Sequence, residues 1–171
     1  MEYDSQRPDR ILADAREFAR EREVVDVDEA VRKLVIFSVG GALFAFDGGS
    51  VREILHVGEI TYVPGSPPSI LGIMNVRGDI ESVADLSVFL GRRRSPLGAS
   101  SRVIVARSAG VVSGVLVDEV VDVLDVTESA LCPPPATLDD TKREFVSAEA
   151  VHGGRTVAVL DVGVLFEKIK V

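Results

Sequence analysis

Apolar and polar positions alternate along much of this chain, most regularly through Gly72-Ile73-Met74-Asn75-Val76-Arg77-Gly78-Asp79-Ile80-Glu81-Ser82-Val83-Ala84-Asp85-Leu86. Apolar residues alternate into a polar pivot, Asn75 to Asp79, and out again at Ile80 and Val83, which predicts two strands joined by a tight Arg-Gly-Asp turn. A second stretch, Ala150-Val151-His152-Gly153-Gly154-Arg155-Thr156-Val157-Ala158-Val159-Leu160-Asp161-Val162, repeats the layout. With Gly78 set against Gly154, Asp85 falls opposite Asp161, and each Asp opens an apolar stretch that reads as a short helix after its hairpin. Upstream, Val51-Arg52-Glu53-Ile54-Leu55 is matched with Val117-Asp118-Glu119-Val120-Val121, each behind a hairpin pattern of its own. The chain is therefore expected to be mainly β and internally duplicated, with two similar β lobes.

The remaining segments fit around that duplication. Ile11, Leu12, Ala15, Phe18 and Ala19 stand at helical spacing after Pro8, so residues 8–23 predict an amphipathic helix, packed on its own barrel or docked on a partner. An acidic stretch, Asp26 to Glu29, follows as a solvated connection, which gives a helix-and-linker segment over residues 1–33 and one domain over 34–171. Leu34 to Phe46, folded back at Gly40-Gly41, opens the first lobe as a hairpin. Tyr62 to Pro68 is a turn-rich connection whose prolines delay the next strand until after Ser69. Gly91 to Gly98, basic and rich in breakers, reads as a loop between lobes, and the second lobe is expected to start at Arg102. Leu131-Cys132-Pro133-Pro134-Pro135 predicts a stiff, extended crossover.

Composition narrows the chemistry. Apolar residues make up 46% of the chain and aromatic ones only 5%, so Val, Ile, Leu and Ala must carry the packing. A net charge of −8 argues against a nucleic-acid partner, whose phosphates require clustered Lys and Arg. No apolar run approaches the roughly 20 residues needed to span a bilayer, and the charged start of the chain does not read as a signal peptide, so a cytoplasmic location is expected. The single cysteine, Cys132, excludes an internal disulfide and reads as a buried or half-buried thiol. His56 and His152 have no metal-ligand spacing around them, so neither a metal nor another cofactor is expected. Asp118, Glu119, Asp122 and Asp125 form an acidic edge, read as a solvated face because no His, Lys or Tyr is placed to cooperate with it.

The motifs together resemble the CheW-like family, the adaptor domain of bacterial chemosensory arrays. The matching stretches are Val51-Arg52-Glu53-Ile54, Val63-Pro64-Gly65-Ser66-Pro67-Pro68, Gly72-Ile73-Met74-Asn75-Val76-Arg77-Gly78 and Gly114-Val115-Leu116-Val117-Asp118-Glu119-Val120, with Leu131 to Pro135 and Leu160-Asp161 as later landmarks. The resemblance spans about residues 34–168. It implies two intertwined, five-stranded SH3-like β-barrel lobes and a non-enzymatic coupler joining the cytoplasmic tip of a chemoreceptor to the regulatory domain of a CheA-type histidine kinase.

It also implies receptor binding at Val51, Glu53, Gly72, Asn75 and Arg77. Val51 would offer an apolar contact, Glu53 and Arg77 would bond polar groups, and Gly72 would allow close backbone approach. Arg77 has two readings: it touches the receptor, or it braces its own loop by pairing with an acidic neighbour. The chain departs from the family pattern at Ser82, where proline is usual, and in Phe145 to Glu149, which lacks an expected glycine. Two other readings stand beside the adaptor: a small-molecule sensor or enzyme using the cleft between lobes, with Glu53, Asp79 and Glu81 as candidate carboxylates, and an adaptor serving a pathway other than motility.

Overall fold

The computed structural model describes residues 29–169. The helix expected over residues 8–23 lies outside the described residues. Ten strands follow: β1 (Val31–Val39), β2 (Ala42–Asp47), β3 (Val51–His56), β4 (Ile70–Val76), β5 (Asp79–Asp85), β6 (Arg102–Ser108), β7 (Val111–Val117), β8 (Glu119–Thr127), β9 (Val146–His152) and β10 (Arg155–Leu160). Three short helices are interspersed: α1 (Leu86–Leu90), α2 (Asp140–Arg143) and α3 (Val162–Ile169). As expected, β4 starts directly after the proline-rich connection and each duplicated hairpin leads into a helix. The first strand begins at Val31, ahead of the anticipated Leu34, because Val31, Arg32 and Lys33 still pair with Thr127, Val126 and Asp125 of β8.

The strands form two five-stranded sheets, in the orders β8-β1-β2-β10-β9 and β3-β6-β7-β5-β4. These orders correspond position by position when β1 to β5 are matched with β6 to β10. Each sheet thus takes a hairpin from one half of the chain and three strands from the other. This is the intertwining that the family resemblance implies, and it corrects the reading of one loop as the boundary between lobes. The segment from Gly91 to Gly98 does not pass between lobes, because β5 before it and β6 after it belong to the same sheet. The chain changes sheets instead at the 3-10 turn Gly48–Ser50 and at Asp118, between β7 and β8.

Ladder irregularities confirm the duplication and adjust its register. β4 against β5 slips between Ile70 and Gly72, and β9 against β10 slips at the matching point, between Val146 and Ala148. β3 against β6 slips between Val51 and Glu53, while β8 against β1 slips between Val120 and Asp122. The structural counterpart of Val51 is therefore Val120, not Val117. Val117 closes β7, and the sequence match was drawn three residues early.

Alternation sorts the side chains into three cores. Leu34 and Ile36 of β1 pack inside the first sheet with Leu43, Ala45, Val157 and Val159. Val103 and Val105 of β6 pack inside the second sheet with Met74, Val76, Val83 and Leu116. The intervening residues, Val35 and Phe37 on one side and Ile104 and Ala106 on the other, face a core shared by both lobes and extended by Leu165 and Phe166 of α3. Strands buried on both faces explain why β1 and β6 read as unbroken apolar runs.

Candidate functional site

The site grows from the β4–β5 hairpin. Val76 pairs with Asp79, so Arg77 and Gly78 are the two central turn residues, with φ of 53° and 98°. Positive φ at both positions gives the hairpin turn whose twist suits its strands, and holding a non-glycine residue there costs about 1 kcal/mol. The Asn75 side chain offsets part of that cost: its Oδ1 accepts the Gly78 N–H at 2.9 Å. Arg77 is thereby held at the tip of the hairpin.

β3 and β4 are the two outer strands of their sheet, and the sheet curls until they approach. Arg77 Nε donates to Glu53 Oε2 at 2.8 Å across that opening. The arginine side chain remains 74% exposed while the glutamate is only 15% exposed. The pair fixes the guanidinium through one nitrogen and leaves the remaining donors facing solvent. The other lobe repeats the device with different chemistry: His152 Nε2 lies 3.6 Å from Asp122 Oδ2, between β9 and β8.

Gly72 belongs to the inside of the hairpin's base. A Cβ added there would stand 2.2 Å from the Thr61 carbonyl oxygen, because Thr61 and Ile73 exchange backbone hydrogen bonds at 2.8 and 2.9 Å. The close approach is therefore to the protein's own backbone. Val51, half-buried, packs against the shared core. Of the five residues singled out in the sequence, Glu53, Asn75 and Arg77 shape one exposed tip, while Gly72 and Val51 support it from beneath.

Beside the tip runs an apolar groove of about 440 Å³, lined by Val63, Ile73, Ser82, Val111, Phe166 and Ile169 among others. Ile73 pairs with Ser82 and Asn75 with Ile80, so Ile73, Asn75, Ile80 and Ser82 share the outward face of the hairpin and continue the groove towards Arg77. Ile80 is 61% exposed. Sequence reasoning missed the groove, since the apolar stretch after Asp161 reads as a short helix with nothing to say what its Phe166 faces. Ser82 bonds Ser113 through their hydroxyls at 2.9 Å, and both line the groove. Glu53 is engaged by Arg77, and neither Asp79 nor Glu81 lines the groove.

The acidic edge is not a simple solvated face. Asp118 Oδ2 accepts from the Gly40 N–H at 2.8 Å and from Ser95 Oγ at 2.7 Å, Asp122 pairs with His152, and Asp125 pairs with Lys33 at 2.8 Å. Cys132 is exposed, contrary to expectation, because its backbone alone pairs, with Glu149. Among the described residues no group of three or more His, Cys, Asp or Glu side chains is arranged to hold a metal, and no helix is long and apolar enough to cross a membrane.

Comparison with known proteins agrees with this geometry. A family model described as the CheW-like domain matches residues 33–170. A probable chemotaxis protein CheW of Rhizobium etli is 32% identical over 145 residues, covering 85% of this chain and 94% of the relative. Protein PilI of Pseudomonas aeruginosa is 34% identical over 113 residues, covering 57% and 64%. Among solved structures, the scaffolding protein TtCheW from Thermoanaerobacter tengcongensis superposes with a TM-score of 0.73 at 30% identity, covering 82% of this chain and 91% of that one. The chain belongs to the CheW-like family of chemotaxis coupling proteins.

Proposed function

We propose that this chain is a non-enzymatic cytoplasmic adaptor that joins the tip of a chemoreceptor to the regulatory domain of a CheA-type histidine kinase. The observation that carries this reading is the braced yet exposed Arg77 at the tip of a hairpin whose Ile73 and Ser82 line an apolar groove. A helical receptor hairpin needs an apolar stripe for its buried face and a fixed polar anchor to set its register. The groove with Ile73 and Ile80 offers the first, and Arg77, oriented by Glu53, offers the second. The two earlier readings of Arg77 are compatible here: Nε braces the loop and the terminal nitrogens meet the receptor. Val51 and Gly72 keep the hairpin close to the core and act on the receptor through its position.

Titration calorimetry against the isolated regulatory domain of a CheA kinase from the same genome tests the coupling half of the proposal. Saturable one-to-one binding is expected, and absence of binding to every such kinase would overturn it. Recruitment of the protein to receptor-containing membranes tests the other half. It should require Arg77 and should survive in a variant that no longer binds kinase. The resemblance to PilI supports a second output for the same adaptor role, in which the kinase belongs to a pilus-type pathway; the calorimetry distinguishes these by which kinase domain binds.

A further inference from the structure

The duplication builds two pockets as well as two sheets. Ile70, Ser82 and Phe166 line the groove described above, and their counterparts in the other lobe, Val146, Ala158 and Leu90, line a second pocket of about 220 Å³. The rims differ. Where the first groove carries serines, the second carries Arg92, Lys142 and Thr156 over walls that include Phe44 and Leu138.

We propose that this second pocket binds a small organic carboxylate with an apolar body, a function separate from receptor or kinase coupling. Arg92 and Lys142 form no ion pair and no side-chain hydrogen bond among the described residues. Among the neighbouring cations, Arg94 pairs with Asp85, Lys168 with Glu144, and Arg143 with the Pro135 and Ala136 carbonyls, while Arg93, which does not line the pocket, has no ion pair among the described residues either. In a chain with a net charge of −8, two unpaired cations at one apolar pocket do not reflect a shortage of carboxylates. Their placement is built. Gly91 ends α1 in the left-handed region, with φ of 58°, and turns the chain so that Arg92 N–H bonds the Ser87 carbonyl at 3.0 Å. A Cβ on Gly91 would lie 3.8 Å from Lys142 Cε, so the Lys142 side chain lies against the turn that carries Arg92.

The chemistry follows from the lining. A guanidinium and an ammonium, with the Thr156 hydroxyl as a further donor, suit a planar carboxylate, and the apolar walls lower the local dielectric that would otherwise screen it. The pocket is larger than the roughly 150 Å³ that holds a benzene ring, and smaller than the 300–1,000 Å³ or so typical of drug-sized ligands. It therefore matches a short alkyl or single-ring monocarboxylate.

The test is an amide chemical-shift titration of the full chain with hexanoate, with hexan-1-ol and hexylamine as matched neutral and cationic probes. Saturable shifts confined to Leu90, Leu138, Val146, Ala158 and their neighbours are expected for hexanoate, with hexanol weaker by about tenfold or more. The R92Q/K142Q variant should lose hexanoate binding by about the same factor, and K142R should retain it. Equal binding of hexanol, shifts centred on the Ile73 groove, or unchanged affinity in R92Q/K142Q would each overturn the proposal. So would an acidic peptide that occupies the pocket while hexanoate does not. Should the double variant fail to fold, the comparison of hexanoate with hexanol on the unaltered chain decides alone.

Discussion

Arg77 concentrates the chemistry of the proposed receptor site in one residue whose backbone and side chain are both constrained. The pair with Glu53, whose guanidinium stays largely in solvent, contributes little stability, about 1 kcal/mol or less, so Arg77→Ala should leave the thermal midpoint nearly unchanged while abolishing receptor recruitment. A charge exchange separates the two roles. If bracing alone matters, E53R combined with R77E restores recruitment; if the guanidinium touches the receptor, the exchanged pair stays inactive although the loop is closed. Gly72→Ala should act oppositely, lowering stability by about 2 kcal/mol or more in a denaturant titration, because its Cβ would collide with the Thr61 carbonyl. The Asn-x-Arg-Gly turn was legible in the sequence. Its partner was not: Glu53 meets Arg77 only because two outer strands of one sheet approach each other, and strand alternation does not record curvature.

Among the elements, the duplicated hairpin-helix units were the most legible, and the structure explains why an Asp closes each. Asp85 Oδ1 accepts the Ser87 N–H at 2.9 Å and its hydroxyl at 2.6 Å, and Asp161 Oδ1 accepts the Val164 N–H at 3.0 Å, so both residues cap helices. Asp85 is buried and also faces Arg94 at 3.5 Å, whereas Asp161 is exposed. Asp85→Ala should therefore cost about 2 kcal/mol and Asp161→Ala nearer 1 kcal/mol, read from paired urea titrations; equal costs would mean that capping alone matters. The match of β3 to β8 was less legible. Both strands are apolar in alternation, and a shift of three residues preserves enough of the pattern to hide the bulge at Val121 that sets the true register. The same limit applies to Asp118, whose bonds to Gly40 and Ser95 bring together positions far apart in sequence.

At the scale of the molecule, sequence showed two lobes and the structure shows that neither is made by one half of the chain. Hydrophobic pattern states which face of a strand is buried but not which sheet the strand joins, and a hairpin can be handed to the other lobe without altering any alternation. A consequence is that the lobes should not unfold separately. Chemical denaturation followed by far-ultraviolet circular dichroism and by a fluorophore on Cys132 should give coincident transitions; a lag between them would show an independently stable lobe. Residues 31–100 expressed alone should remain unfolded, since β1 and β2 would lack β8, β9 and β10, and most of the shared core would be gone. The exchange of strands matters beyond stability. Partners held on opposite lobes would be connected through a doubly crossed chain and a packed interior, not through a tether. An adaptor so built would work as a rigid strut: displacement of one partner would be delivered to the other without being absorbed by slack, and the spacing between them would be a property of the fold.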